Sequence, residues 1–183
     1  MSSVDTPEAS GSNVAEPLQK RLVRTLLWLE LSILVVAIDL LTKYLATQHL
    51  ELYVPEPVFP HFNLMLAHNT GAAFSFLADA GGWQRWFFGG IAVVVTSVMV
   101  VWISRLRRDQ VWLSLALSLI IGGALGNLWD RMTLGYVVDF LDFYWGNWHF
   151  PAFNIADSAI TVGAVMLIVD MIRNPDGYEG KAS

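Results

Sequence analysis

Eight polar residues stand out in an otherwise apolar chain: Asp39 and Lys43, then Asn127, Asp130 and Arg131, then Asp139, and finally Asn154 and Asp157. Carboxyls of this kind can hydrolyse a peptide without a metal or a thiol. Two carboxyl groups about 3 Å apart cannot both ionise, so they share one proton. The ionised member takes a proton from water, and the neutral member donates to the scissile carbonyl oxygen. Burial at a membrane edge raises both apparent pKa values, which belong to the pair rather than to either acid. Asp139 and Asp157 suit the role, one on a strand-like stretch and the other at a helix start, where they can close on an extended peptide from opposite sides. A serine peptidase using Lys43 as base stays open, with Ser75 or Ser158 as nucleophile. The chain has no cysteine, which excludes disulfides, zinc thiolates and thiol nucleophiles. His49, His61, His68 and His149 are scattered outside the apolar segments, so solvated or structural roles fit them better than a metal site. No metal and no cofactor is expected.

The elements that must position these residues follow from hydropathy. Of 183 residues, 55% are hydrophobic and 15% charged, where soluble domains average about 45–50% and about 25%. Lipid is therefore the expected solvent for much of the surface. A net charge of −5 with no basic stripe argues against nucleic acid as a partner. Four runs, 22–45, 83–103, 112–129 and 155–172, are near the roughly 20 apolar residues that a membrane helix needs. The first is too long for a signal-peptide core and ends in no small-residue cleavage site. Residues 1–19 are polar and read as a disordered tail, with residues 20–173 as the membrane domain and 174–183 as a second tail. Eight of the eleven basic residues (Lys20, Arg21, Arg24, Arg105, Arg107, Arg108, Arg173 and Lys181) fall on one side of the four spans. The positive-inside rule then puts both termini in the cytoplasm. Trp28, Trp102 and Trp112 mark the inner boundary, and Trp83, Trp86 and Trp129 the outer one. The outward loops are residues 46–82 and 130–154; stretches 62–66 and 136–143 read as strands of a small sheet lying on the membrane.

Chain direction brings the polar residues to one depth. Asp39 lies 17 residues beyond Leu22, about 25 Å along an outward-running helix, and Lys43 follows on the same face. The third span ends outward with Asn127, Asp130 and Arg131, and the fourth begins there with Asn154 and Asp157. Each has a simpler reading: an i,i+4 ion pair for Asp39 and Lys43, snorkelling for Arg131, interhelical glue for Asn127. Their conjunction at one interface is what marks a site. Glu30 and Asp170 lie toward the other end, and Asp142 is expected on the face of its strand opposite Asp139. A non-enzymatic transporter or assembly factor is the rival class. A transporter should show paired broken helices near the midplane, often in repeated halves, and neither is visible.

Five stretches resemble the lipoprotein signal peptidase (signal peptidase II) family, in order and with compatible spacing over about residues 20–173. They are Asp39-Leu40-Leu41-Thr42-Lys43, Asn69-Thr70-Gly71-Ala72-Ala73-Phe74-Ser75, Gly126-Asn127-Leu128-Trp129-Asp130-Arg131, Val137-Val138-Asp139-Phe140, and Pro151-Ala152-Phe153-Asn154-Ile155-Ala156-Asp157-Ser158. The resemblance implies an all-α membrane fold: four transmembrane helices, a small extracytoplasmic β-cradle and a short interfacial helix over the cleft. It implies Asp139 and Asp157 as catalytic aspartates. Asn69, Gly71, Asn127, Arg131 and Asn154 would shape the site or hold the substrate backbone, with Asp39, Lys43 and Asp130 in support. The implied substrate is a prolipoprotein carrying diacylglycerol on the cysteine after the cut. The implied setting is the bacterial cytoplasmic (inner) membrane, with the active site on the extracytoplasmic face, membrane lipid as surroundings and a monomer as the working unit. A mobile loop around Gly71 and Ala72, closing over the site, is a further expectation.

Overall fold

All four apolar runs are helices in the computed structural model, which describes residues 17–71 and 82–174. They are α1 (Leu18–His49), α2 (Gln84–Arg105), α3 (Val111–Thr133) and α4 (Ile155–Arg173), each long and apolar enough to cross a membrane. Hydropathy alone set the ends of α1 and α3 too short. Helix α1 continues beyond its apolar run at both ends: Arg21 Nη2 donates to the Ser104 carbonyl at 3.0 Å, and buried Ala46 extends the packed face. Leu18 and Gln19, expected in the polar tail, therefore lie in α1, while residues 1–16 and 175–183 lie outside the described residues. Helix α3 runs on through Arg131, so the whole Asn127–Asp130–Arg131 group is helical. Helix α4 starts where expected because Asn154 and Asp157 form a capping box.

Helix α3 is the centre of the bundle, with 67% of its apolar window buried against 22%, 11% and 22% for α1, α2 and α4. The outer helices instead present Ile33, Val94, Val98, Val165 and other large apolar side chains outward, as a bilayer requires. Away from the site, Ile103, Leu106, Leu113 and Leu117 form a buried cluster flanked by Trp28, Trp102 and Leu167. Two polar contacts tie the helices there. Ser32 Oγ donates to the Ser118 carbonyl at 2.9 Å, and Trp112 Nε1 donates to that of Met166 at 2.9 Å.

At the opposite end sits a four-stranded antiparallel sheet in the order β1 (Glu56–Phe59), β2 (Phe62–Asn69), β3 (Val137–Trp145) and β4 (Trp148–His149). Pro57 is tolerated because β1 is an edge strand. Strands β2 and β3 pair Ala67 with Asp139 and Asn69 with Val137, with an irregularity between Leu64 and Ala67. Phe153 bridges to Leu141 through two backbone hydrogen bonds of 2.9 and 3.1 Å, which hangs the start of α4 from β3 and sets Asn154 beside Asp139. Asp142 turns to other partners, accepting from Asn63 Nδ2 at 2.8 Å and lying 2.9 Å from His149 Nδ1. Among the described residues no element corresponds to the short interfacial helix, and the loop at Ala72 lies outside them.

Close approach of α1 to α3 depends on Gly126. A Cβ there would stand 2.5 Å from Asp39 Oδ2. Gly126→Ala is expected to cost about 1–3 kcal/mol of stability through overpacking. Gly90→Ala meets open space on α2 and should be neutral or slightly stabilising. Thermal unfolding in detergent compares the two, and matching midpoints would show that the contact yields.

Candidate active site

Lys43 occupies the junction of α1 and α3. Its Nζ lies 2.7 Å from Asp39 Oδ2, 3.0 Å from Asp130 Oδ2 and 3.0 Å from Asn127 Oδ1. The lysine is 3% exposed and Asp39 fully buried, so these charges persist only because they meet each other. The carboxylates also reach beyond the lysine. Asp39 Oδ1 accepts from the Ala156 N–H at 2.8 Å, joining α1 to the first turn of α4. Asp130 Oδ2 accepts from the Val138 N–H at 3.1 Å, joining α3 to β3. The cluster thus fixes both elements that carry Asp139 and Asp157.

Amides hold those two acids in place. Asn154 Nδ2 donates to Asp139 Oδ1 at 2.7 Å, and also reaches the Val138 carbonyl and Asn127 Oδ1 at 3.2 Å each. Asn69 Nδ2 donates to Asp139 Oδ2 at 3.1 Å, and Asn69 Oδ1 accepts from Gly71 N at 3.1 Å. Asn127 Nδ2 donates to Asp157 Oδ1 at 2.7 Å. Within the capping box, Asn154 Oδ1 accepts from Asp157 N at 2.9 Å. Amide donors orient a carboxyl without neutralising it, which leaves its acid–base chemistry available. Arg131 is a cation in the cleft lining. It donates to the carbonyls of Asn127 and Gly71 at 3.3 Å each and lies 5.5 Å from the Phe88 ring centroid. These contacts turn its guanidinium toward the cleft it lines.

Asp139 and Asp157 line one cleft of about 680 Å³, together with Asn69, Asn127 and Arg131. Burial, and then the neighbouring charge of Asp157, push the Asp139 carboxyl up to about 7, against the opposing effect of the Asn69 and Asn154 donors and the Lys43 cation. The rest of the wall is apolar and includes Met65, Val137, Phe153, Ile160 and Val162. Ser158 also faces the cleft, but its hydroxyl donates to the Asn154 carbonyl at 2.9 Å. Lys43 is engaged by the two acids and Asn127. That arrangement does not support the serine mechanism through Ser158, and Ser75 lies outside the described residues.

A family model described as Signal peptidase (SPase) II matches residues 31–173. The chain belongs to the signal peptidase II family. A lipoprotein signal peptidase of Pseudomonas syringae pv. tomato is 54% identical over 92% of this chain and 94% of its own. One from Pseudomonas aeruginosa is 56% identical over 83% and 91%. A solved bacterial membrane enzyme structure superposes with a TM-score of 0.73 at 30% identity, over 85% of this chain and 93% of that one. The family makes the chain a peptidase, and its four spans make it a multi-pass membrane protein.

All ten residues expected at the site (Asp39, Lys43, Asn69, Gly71, Asn127, Asp130, Arg131, Asp139, Asn154 and Asp157) meet in this one network, either in the cleft or directly behind it. The apolar walls were not foreseen, although their signal is present in the chain. Met65, Ala67 and Asn69 alternate along β2, while Asp157, Ile160 and Thr161 recur at i, i+3 and i+4 along α4. Projecting those periods from Asn69 and Asp157 finds them. His68, which lines the cleft and stacks on Tyr136 at 4.0 Å, has no such signal.

Two outcomes follow for stability. Lys43→Met leaves Asp39 and Asp130 facing each other without a cation, and it should cost about 3–5 kcal/mol in detergent unfolding; adding Asp39→Asn should restore part of the loss. Asp139 holds its proton in the folded state at pH values where an unfolded aspartate has released it. Its contribution to stability is therefore full below about pH 4 and is lost as the pH rises through about 7. Asp139→Asn should flatten that decline between pH 4 and 7 and stabilise the protein at neutral pH. An unchanged pH profile in the variant would refute the assignment.

Proposed function

We propose that this protein removes the signal peptide from diacylglyceryl-modified prolipoproteins, cutting just before the lipidated cysteine with Asp139 and Asp157 as a proton-sharing pair. The observation that carries the reading is that both carboxyls line one cleft, oriented by Asn69, Asn127 and Asn154, with neither in an ion pair among the described residues. Near neutral pH the pair holds one proton, since Asp139 is pushed up to about 7. The ionised carboxylate accepts a proton from the attacking water, and the neutral acid donates to the carbonyl oxygen of the scissile bond. Collapse of the tetrahedral intermediate passes a proton to the leaving amine, and the pair again holds one proton. Arg131 and the Asn side chains are placed to hold the peptide backbone.

The cleft also suits a lipidated substrate. Its apolar wall continues over Ile160 and Val162 on α4, and Val162 is half exposed, so acyl chains can leave toward lipid while the peptide stays at the carboxyls. Each buried methylene contributes about 0.8 kcal/mol, which makes the diacylglycerol the main source of capture and the ruler for depth. The excess of basic residues at the other end of the bundle supports cytoplasmic termini and a cleft on the extracytoplasmic face of the inner membrane. One chain supplies all ten site residues, so a monomer is sufficient.

The test is turnover of a lipidated precursor by purified full-length variants. Asp139→Asn and Asp157→Asn should each reduce processing by about 10²–10⁴-fold or more while unfolding cooperatively in detergent. The same precursor without diacylglycerol should be processed poorly by the unaltered enzyme. Processing retained by either variant removes the pair from the mechanism, and cleavage indifferent to lipid moves the enzyme to another peptidase class.

A further inference from the structure

Asp142 is fully buried on β3 and takes no part in the chemistry described above. Its carboxylate accepts from Asn63 Nδ2 on β2 at 2.8 Å. On its other side His149 Nδ1 lies 2.9 and 3.0 Å from the two carboxylate oxygens. A carboxylate can only accept, so Nδ1 carries the shared hydrogen. The His149 side chain is 45% exposed, so the bond does not serve to bury the ring. It holds β4, which is two exposed residues long and pairs with β3 only through Tyr144–His149 and Trp145–Trp148. So short and open a ladder is weak by itself. The four residues that follow, Phe150, Pro151, Ala152 and Phe153, all line the cleft of Asp139 and Asp157. Phe150 N donates to the Phe143 carbonyl at 2.8 Å, whereas Pro151 has no N–H to contribute. Asn154 comes next and is bonded to Asp139. This wall of the cleft is therefore strung between two acids of β3, with Asp142 at its entry and Asp139 at its exit.

We propose that Asp142 and His149 are positioning residues of the peptidase, whose bond sets the wall from Phe150 to Phe153 against the apolar surface of the substrate. The bond then governs capture of the precursor and not the chemical step. Asp139 and Asp157 are oriented by Asn69, Asn127 and Asn154, and none of those bonds passes through His149. Loosening the entry of the wall leaves the two acids in place and removes packing that substrate and transition state share. Such a loss raises KM and spares kcat. The inference rests on the reading of this cleft as the place where the precursor is cut.

Purified full-length variants are compared for kcat and KM on a lipidated precursor, and for amide hydrogen exchange at Phe150, Ala152 and Phe153. His149→Ala should raise KM about tenfold, keep kcat within about twofold, and speed exchange along the wall. His149→Asn, whose amide nitrogen stands in the place of Nδ1, should restore both. Asp142→Ala should raise KM at least as much, and the double variant with His149→Ala no further, because each change removes the same bond. If Asp142→Ala does not fold, the two His149 variants decide alone. An unmoved KM in His149→Ala, a loss that His149→Asn does not rescue, or additive effects in the double variant overturns the proposal. A fall in kcat that tracks the folded fraction at constant KM would mark a staple of the sheet only, and overturns it too. Failure of the unaltered enzyme to process the precursor overturns the peptidase reading and this role with it. Exchange unmoved at the wall, while the precursor is processed, overturns the role alone.

Discussion

A lysine buried between two aspartates inside a membrane bundle has few places to be. Lys43 must stay within about 3 Å of Asp39, Asp130 and Asn127, because an uncompensated ion in this setting costs several kcal/mol. The two carboxylates also accept from the Ala156 and Val138 N–H groups. Four elements therefore converge on one ammonium: α1 supplies it, α3 shares it, and α4 and β3 are fastened to its partners. The depth and spacing of Asp139 and Asp157 follow from that convergence. Gly126 keeps α3 thin enough for Asp39 to reach the junction.

The two groups of acids receive opposite treatment over a short distance. Asp39 and Asp130 are held by a cation and serve as fasteners. Asp139 and Asp157 are held chiefly by amide N–H donors, which fix a direction, and at Asp139 burial and the charge of Asp157 then raise the pKa. Asn154 connects the two systems. Its side chain caps α4, contacts Asn127 and binds Asp139. Its full burial is consistent with a part whose orientation cannot vary.

Much of this was legible in the chain before any coordinates. Four apolar runs of spanning length imply helices that alternate in direction, and that alternation alone brings Asp39, Asn127, Asp130 and Asp157 to one level. The Asp39–Lys43 pair is visible as a four-residue spacing, but its third member, Asp130, is not, because no local pattern reports a contact between residues so far apart. Asn69 and Gly71 entered only through resemblance; nothing in their immediate surroundings announces that β2 pairs with β3 so as to carry Asn69 to Asp139. Helix ends were misplaced for a related reason. Hydropathy reports where lipid ends, whereas α1 continues as long as backbone bonding and the contacts of Arg21 and Ala46 sustain it.

The helices are unequal in length, 32 residues in α1 and 19 in α4, or about 48 Å and about 28 Å at an ordinary rise per residue. A hydrocarbon layer about 30 Å thick matches α4 along its length, whereas the polar ends of α1 must lie beyond it. The bond from Ala156 to Asp39 prevents α4 from sliding like a piston along α1 to find its own level. The surplus length of α1 is then taken up outside the hydrocarbon or by tilting the bundle as one body. Any such tilt carries the cleft with it, because α1, α4 and β3 are fastened at the Lys43 junction.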